Sequence, residues 1–263
     1  MARRKAWLVG LSAAIIIIGA VSFYRAFYVV PVFMYHRIGY PAVEKDRANT
    51  VSPERFRAQM NALKVWGYRV LSMDDYARAV DDRKNLCCRS VVITFDDGIL
   101  NNYTEAFPVL REHGFSAAFF IPAAKVGRLD IDPPRMSWPQ LEEMARAGMT
   151  IGSHLLTEPY LPELTPEARR QEIVESRRIL EEKLARPVKY LAYPVGGFTP
   201  DAGEMVREAG YRLAFTTNRG HHRLNRDPFE LRRVRVNEKD RGPVLWAKLS
   251  GFYNFFRTTK NPY

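Results

Sequence analysis

The sequence predicts an α/β protein in which parallel strands form one sheet covered by helices on both faces, preceded by a membrane-spanning helix. Two observations predict the sheet: strands and helices alternate along the chain, and strands such as 91–95 are apolar throughout. Such strands are typical of parallel sheets buried between helices. A third observation, the uncharged run from Ala6 to Tyr24, predicts the membrane helix. The pattern fits a doubly wound sheet and a closed barrel equally well.

The N-terminal segment has the features of a signal-anchor. Its uncharged run is close to the ~20 residues that a helix needs to cross a bilayer, and the basic residues Arg3 to Lys5 precede it. Because basic flanks stay in the cytoplasm, we expect 1–27 to comprise a cytoplasmic stub and a transmembrane helix, with the remaining chain periplasmic or extracellular. The alternative is a cleaved signal peptide, since Ala20 to Ser22 offers small residues at suitable positions.

The remaining elements follow from apolar runs and helix-capping residues. Ser52-Pro53 and Thr165-Pro166 each place a capping hydroxyl before a proline, and Ser137 with Gln140 has the spacing of a capping box. The predicted strands are 28–35, 91–95, 116–121, 149–153, 190–193 and 212–216, and the predicted helices begin at 52, 103, 137, 165 and 199. We expect 28–241 to form one domain. The aromatic and basic tail, 242–263, is either a helix packed on that domain or a contact with the membrane interface.

The chain is basic, which limits its partners. It has 40 Lys and Arg against 29 Asp and Glu, a net charge of +11. This charge suits nucleic acid, anionic lipid or a polyanionic polymer. However, the sequence has no Gly-rich phosphate loop, zinc-finger spacing or RNA-binding aromatic motif, which argues against nucleic acid.

Two adjacent carboxylates, Asp96 and Asp97, follow a buried strand in the run Thr94-Phe95-Asp96-Asp97-Gly98. Their mutual repulsion is costly unless a positive group lies nearby, and a divalent cation on one of them would supply it. A structural interpretation also exists, in which Asp-Gly forms a turn and Asp96 caps the next helix.

A second polar cluster, His154 and Glu158, follows another buried strand. Residues four apart lie on one face of a helical turn, so the imidazole and the carboxylate can point the same way. Together with Asp97 they would provide three nitrogen and oxygen ligands with room for water, as catalytic zinc sites have. A surface His–Glu pair is the alternative for this cluster alone.

These motifs resemble those of polysaccharide deacetylases of the NodB-homology type, carbohydrate esterase family four. The T-F-D-D-G run is similar to that family's first motif, and the Ser153–Leu161 segment is similar to its second, S-H-x-x-x-H-P-x-L. Pro31–Arg37 and Leu231–Val236 are similar to the poly-N-acetylglucosamine deacetylase branch, in which the catalytic His comes first in the chain. The resemblance implies a distorted (β/α)7-type barrel that hydrolyses N-acetyl groups on a glucosamine polymer.

The resemblance also implies a role for each site residue. Asp96 is expected to be the general base and His36 the general acid, with Arg233, or alternatively Arg232, holding Asp96 ionised. The expected metal ligands are Asp97, His154 and Glu158. The expected substrate-binding residues are Tyr35 and the third-motif residues Tyr193, Pro194 and Gly196, where the backbone helps to bind the oxyanion.

This sequence departs from the family pattern at two positions. Glu158 stands where the family usually has its second His, and Ala192 where it usually has an Arg. Two carboxylates cancel the formal charge of a divalent cation, which should weaken its Lewis acidity. Zinc is the expected metal, with manganese, iron, cobalt and nickel as alternatives.

The sequence therefore predicts an extracytoplasmic, membrane-anchored N-deacetylase that acts on poly-N-acetylglucosamine or a related exopolysaccharide. Synthesis or export machinery for that polymer is an expected partner. The alternatives are a peptidoglycan or chitooligosaccharide deacetylase and an inactive polysaccharide-binding pseudoenzyme.

Overall fold

The structure is a computed structural model in which strands and helices alternate along the chain. The residues that it describes are 12, 15–20, 22–23, 27–41, 43–82, 89–219, 224–253 and 259–262. The strands are β1 (Val32–Tyr35), β2 (Arg37–Ile38), β3 (Thr50–Val51), β4 (Arg69–Val70), β5 (Ser90–Phe95), β6 (Ala118–Ile121), β7 (Thr150–Ser153), β8 (Tyr190–Ala192), β9 (Leu213–Phe215) and β10 (Val234–Arg235). The α-helices after β3 are α1 (Pro53–Val65), α2 (Met73–Asp81), α3 (Phe107–His113), α4 (Trp138–Arg146), α5 (Pro166–Leu184), α6 (Ala202–Glu208) and α7 (Gly242–Leu249).

Capping residues determine where several helices begin. The hydroxyls of Ser52, Ser72 and Thr165 each accept a hydrogen bond from a backbone amide in the first turn of α1, α2 and α5. Ser137 and Gln140 form a reciprocal capping box at the start of α4. The predicted starts of α1, α4 and α5 are therefore confirmed.

The predicted helix from 103 to 113 differs in its first half. Residues Asn102–Ala106 form a π-helix, and the α-helix α3 begins only at Phe107. Pro108 lies in the first turn of α3 and has no amide hydrogen. It cannot donate the bond that would continue an α-helix through this point, so the preceding turn is wider.

The main sheet is parallel, with strand order β10-β1-β5-β6-β7-β8-β9, and β4 pairs with β5 beside this path. It forms a half-barrel. The chain that leads into β10 also contacts β9, since the amide of Leu231 donates to the carbonyl of Ala214 over 3.0 Å. The segment from Leu231 to β10 therefore spans the gap between β9 and β10, the two edge strands of the sheet.

Both faces of the sheet are apolar, but they pack on different partners. On the inner face the strand side chains pack mainly on one another, and they include Val32, Val92, Ala118, Phe120, Tyr190, Leu213 and Phe215. On the outer face they pack on helices, and this cluster includes Phe33, Tyr35, Ile93, Phe95 and Phe119 with Phe56, Leu110, Leu141, Ile173 and Leu245. Burial on both sides explains why the strands are continuously apolar.

The predicted N-terminal transmembrane helix is wrong. None of the helices formed by the described residues is both long and apolar enough to cross a bilayer. Residues 15–20 are helical, but 1–11, 13–14, 21 and 24–26 lie outside the described residues. The apolar run from Ala6 to Tyr24 and the basic residues before it had suggested this helix. The membrane-anchored location inferred from it is corrected accordingly.

The predicted fold class, a distorted (β/α)7-type barrel with a transmembrane helix, is thus corrected to a parallel-strand half-barrel. In the C-terminal segment, α7 packs on this half-barrel through buried Leu245 and Leu249, while Trp246 is exposed.

Candidate active site

Polar residues gather at the carboxyl ends of neighbouring strands. His36 follows β1, Asp96 follows β5, His154 follows β7 and Tyr193 follows β8. In parallel α/β sheets these ends share one edge, where sites form. The strand order, in which β1 lies next to β5, brings His36 and Asp96 together.

Side-chain alternation determines that His36 and Asp96 point to the same side. Met34 of β1 is in register with Thr94 of β5. Each site residue comes two positions later in its strand, and successive side chains of a strand point to opposite faces. The His36 Nε2 and Asp96 Oδ2 atoms consequently lie 4.0 Å apart.

Asp96 forms a bidentate ion pair with Arg233. The Arg233 Nη1 and Nη2 atoms donate to the Asp96 Oδ1 and Oδ2 atoms over 2.6 and 2.7 Å. Arg233 also donates to the carbonyl of Thr216 and the hydroxyl of Thr94, and its guanidinium lies over the ring of Phe120. Both charged side chains are buried, so each satisfies the charge of the other in a medium where an isolated charge is costly.

The pKa values of this pair of site residues shift in characteristic directions. Burial raises the pKa of Asp96, but the charge and hydrogen bonds of Arg233, together with the charges of His154 and His36, lower it by more, and the net pKa lies below the ordinary value. Burial lowers the pKa of His36 more than the neighbouring Asp97 and Asp96 raise it. Asp96 is therefore ionised near neutral pH, and His36, when protonated, is a stronger acid than a free imidazole.

Three predicted ligands lie together beside this pair. Asp97, His154 and Glu158 each offer a donor atom, and these atoms lie within 4.8 Å of one another. The His154 Nδ1 atom is 2.7 Å from the carbonyl of Ala192. A carbonyl only accepts, so Nδ1 carries the hydrogen and Nε2 faces Asp97, whose Oδ1 is 3.5 Å away.

The protonation of this cluster follows from its charges. Burial lowers the pKa of His154, but contact with Asp97 and the charges of Asp96 and Glu158 together raise it by more, and the net shift is upward. Burial raises the pKa of Asp97, but His154, His36 and Arg135 together lower it by more, and the net shift is downward. A cation held by the three side chains would compete with a proton for His154 Nε2 and for the carboxylates.

The backbone at both carboxylate ligands lies in the left-handed region. Asp97 has φ +70° and Glu158 has φ +68°, which is uncommon for residues other than glycine. Surrounding contacts hold these conformations. Arg135 Nη1 donates to the Asp97 carbonyl over 2.9 Å, and Glu172 of α5 accepts the amides of Leu156 and Thr157 over 2.9 and 2.8 Å.

Glu158 has two basic neighbours that the sequence analysis did not identify. Its Oε2 atom lies 2.9 Å from Lys125 Nζ and 3.7 Å from Arg135 Nη2. Nothing in the sequence around Lys125 or Arg135 distinguishes them among 40 basic residues. Only the neighbouring positions of β6 and β7 in the sheet bring Lys125 to Glu158.

In the turn Tyr193–Gly196 after β8, one backbone amide has no acceptor among the described residues. The Tyr193 amide donates to Phe215, Pro194 has no amide hydrogen, and the Gly196 amide donates to Tyr193. The amide of Val195 has no hydrogen-bond acceptor among the described residues. Val195 is also 65% exposed and has φ +56°, an unusual value for a β-branched residue.

Gly196 is required by the close packing of this loop. A Cβ atom at Gly196 would lie 2.4 Å from Thr217 Oγ1, and its φ of +74° also disfavours other residues. The side chain of Tyr193 is buried and stacks on Phe198. Pro194 is also buried, so Tyr193, Pro194 and Gly196 shape the loop, and Val195 is its exposed residue.

Tyr35 does not fit the substrate-binding role expected from the sequence. Its side chain is buried in the outer-face cluster, stacks on Phe95 and donates a hydrogen bond to Gln59 over 2.9 Å. The reason is strand alternation, because Tyr35 must point away from the side to which Met34 and His36 point.

Comparisons with known proteins agree with this geometry. The family model for polysaccharide deacetylase matches residues 83–214 of the 263-residue chain. The sequence is 28% identical over 218 residues to YxkH of Bacillus subtilis, covering 83% of this chain and 75% of the relative. It is 24% identical over 213 residues to the poly-beta-1,6-N-acetyl-D-glucosamine N-deacetylase of Staphylococcus epidermidis, covering 77% and 73%.

Solved structures with the same fold include a deacetylase and a protein named IcaB. The deacetylase PplD of Streptococcus pyogenes, in complex with acetate, superimposes with a TM-score of 0.75 at 25% identity, covering 84% of this chain and 97% of that one. IcaB of Ammonifex degensii superimposes with a TM-score of 0.72 at 28% identity, covering 86% and 97%. The resemblance inferred from the sequence motifs is confirmed. The chain belongs to the polysaccharide deacetylase family and is an enzyme that removes N-acetyl groups from a polysaccharide.

Proposed function

We propose that the protein is a metal-dependent hydrolase that removes N-acetyl groups from poly-N-acetylglucosamine. The observation that carries this proposal is the buried Asp96–Arg233 ion pair directly beside the Asp97, His154 and Glu158 cluster. A base held ionised next to three convergent ligands is the arrangement that hydrolysis of an amide requires.

The three side chains fit a divalent cation. The hydrogen bond from His154 Nδ1 to Ala192 leaves Nε2 free to coordinate, and both carboxylates are close enough to share the same ion. Zinc suits such a mixed nitrogen and oxygen set with an open position, and manganese or iron are the harder alternatives. When bound, the cation would polarise the acetyl carbonyl and acidify a water molecule.

Asp96 is the proposed general base and His36 the proposed general acid. Asp96 removes the proton from the attacking water, while Arg233 keeps the carboxylate ionised and oriented. His36 lies 4.0 Å from Asp96 and protonates the amine that leaves. Its lowered pKa favours release of that proton.

Val195 supplies the proposed backbone donor for the acetyl oxygen. Its amide has no acceptor among the described residues, whereas the amide of Tyr193, near which the sequence predicted the donor, is bonded to Phe215. A fixed amide aimed at developing negative charge stabilises the transition state. The oxyanion role is therefore assigned to Val195, two residues after Tyr193 in the same loop.

The relatives support the choice of polymer. The Staphylococcus epidermidis relative is named for poly-beta-1,6-N-acetyl-D-glucosamine, and it aligns with 77% of this chain. Val195 is exposed and follows β8 at the same edge of the sheet as the site residues, so a polymer chain at that edge can reach it. Peptidoglycan and chitooligosaccharides remain competing substrates that experiment can separate.

Acetate release tests this proposal. The full chain, treated with chelator and then supplied with Zn²⁺, Mn²⁺ or Fe²⁺, is incubated separately with poly-β-1,6-N-acetylglucosamine, chitooligosaccharides and peptidoglycan. We expect metal-dependent release that is fastest with the first polymer and abolished by Asp96→Asn. Asp130→Asn, which changes a surface carboxylate paired with Arg128, is the matched control and should retain full activity. Release that is unaffected by chelator would contradict the metal mechanism.

A further inference from the structure

We infer that Lys125 is a positioning residue that offsets the charge of Glu158 and thereby sets how tightly the site binds a divalent cation. This inference rests on the metal site proposed above. It concerns a residue outside the three ligands and outside the motifs by which the family was recognised.

Direct contacts link Lys125 to the ligand. The Lys125 Nζ atom lies 2.9 Å from Glu158 Oε2, and their side chains are only 31% and 20% exposed. Arg135, with a side chain 9% exposed, approaches the same oxygen at 3.7 Å. Partial burial reduces screening by water, so these charges act on Glu158 more strongly than a surface ion pair would.

The fold holds Lys125 in this place. Lys125 ends a short 3-10 turn, Ala123–Lys125, directly after β6. The amides of Ala123 and Ala124 donate to the carbonyls of Leu155 and Leu156 over 3.1 and 2.9 Å. The turn is therefore fastened to the loop that carries Glu158, and the ion pair follows from backbone contacts on both sides.

The charges of the site add up in a way that favours a reactive cation. Asp97 and Glu158 contribute two negative charges, which would cancel those of a divalent ion. Lys125 and Arg135 place two positive charges next to Glu158, while the charges of Asp96 and Arg233 neutralise each other. The ion would retain its effective positive charge despite the second carboxylate, which answers the concern that Glu158 weakens its Lewis acidity.

A consequence for affinity follows. Lys125 occupies one lone-pair direction of Glu158 Oε2 and repels a cation close by. Removing the ammonium should make the site more negative and free that oxygen, so the cation should bind more tightly. With an effective dielectric constant of about 20, one charge next to a divalent ion is worth at least about tenfold in affinity.

The test measures the dissociation constants of Zn²⁺ and Co²⁺ by chelator competition, together with the Co²⁺ absorption spectrum, on the metal-free full chain. We expect Lys125→Met to lower both constants by about tenfold or more. Lys125→Arg keeps the charge and should stay within about twofold of the unsubstituted protein. Lys64→Met removes an exposed charge at the end of α1 and should have no effect.

A double substitution shows whether Lys125 acts through Glu158. With Glu158→Gln already present, Lys125→Met should lower the constants by a smaller factor than it does in the unsubstituted protein, because the contact with the carboxylate is gone and only the direct repulsion of the cation remains. Unchanged or weaker cation binding by Lys125→Met, with an unchanged melting temperature, would overturn the inference alone. If the unsubstituted protein binds neither ion, the proposed metal site itself fails.

Discussion

Arg233 and Asp96 are joined by two parallel hydrogen bonds of 2.6 and 2.7 Å although 137 residues separate them in the chain. The guanidinium is fully buried, and its remaining donors reach Thr216 and Thr94. A lysine ammonium cannot form this planar, bidentate pair of hydrogen bonds. The pair therefore determines both the orientation and the charge of the carboxylate in the site.

Replacing this guanidinium should alter both the rate and its pH dependence. For Arg233→Lys we expect kcat/KM to fall by roughly 10²-fold, since a displaced base loses its alignment. Arg233 helps to hold the pKa of Asp96 below its ordinary value. Weakening the contact should raise that pKa, so the acidic limb of the pH–rate profile should move to higher pH. The measurement is acetate release as a function of pH.

The neighbouring arginine offers a matched control. Arg232 lies one residue earlier, and its backbone is bonded to Asn225 instead of the site. Arg232→Lys should leave the acidic limb where it is. An equal shift in both variants would show that net charge, and not the bidentate contact of Arg233 with Asp96, controls the acidic limb of the pH–rate profile.

Loss of the His36 imidazole should slow the chemical step without affecting metal content. For His36→Asn we expect kcat to fall by roughly 10²-fold or more, as for other general acids. His36 is not among the three clustered ligands, so the bound metal, measured by mass spectrometry, should be unchanged. His113→Asn is the control, because that ring bonds Val109 and Asn61 on the outer helices. Loss of metal from His36→Asn would show that His36 is a ligand.

The inner face beneath Arg233 should not tolerate a larger residue at Gly152. A Cβ atom there would lie 2.7 Å from the ring of Phe120 and 2.9 Å from the carbonyl of Tyr190. For Gly152→Ala we expect a loss of about 1–3 kcal/mol in the free energy of unfolding, and reduced activity because Phe120 supports Arg233. Denaturant unfolding measures the first effect.

A helical glycine provides the comparison. At Gly203 of α6, a Cβ atom would meet only Phe229, at an ordinary 3.6 Å. Gly203→Ala should be neutral or should stabilise the protein by up to about 1 kcal/mol. If both alanine variants lost the same stability, crowding on the inner face would not be the cause.

Glu172 should control metal affinity without touching the metal site. Its carboxylate accepts two amides and one hydroxyl from the loop just before Glu158. We expect Glu172→Ala to weaken Zn²⁺ binding by about tenfold, as loss of supporting contacts typically does. Glu175→Ala removes a carboxylate of the same helix that pairs with exposed Arg178, and this variant should bind Zn²⁺ normally. Equal affinities in the two variants would show that the loop needs no such support.

Local signals in the sequence determined much of the fold. The hydroxyl caps at Ser52, Ser137 and Thr165 were predictable because a cap satisfies amides only three residues away. Continuous apolarity of the strands predicted a sheet buried on both faces for an equally local reason. The apolar N-terminal run and its basic flank predicted a membrane-spanning helix, and the described residues form no helix long and apolar enough to be one.

Part of the candidate site was also accessible from the sequence. The motifs around Asp96 and His154 lie at strand ends, and the side chains of Asp97, His154 and Glu158 do come together. The orientation of Tyr35 could have been read from alternation, since it sits between Met34 and His36 on the opposite face.

Tertiary structure decided between Arg233 and Arg232, the two candidate partners of Asp96, and it alone identified Lys125 as a partner of Glu158. Arg233 reaches Asp96, and Lys125 reaches Glu158, because β10 pairs with β1 and β6 lies next to β7. The sequence determined the chemical groups and the local elements that carry them. The pairing of charges between distant segments, and the choice of Val195 as the available amide, depend on strand order and on which hydrogen bonds are already made. Those are properties of the packed sheet, and no local pattern in the chain encodes them.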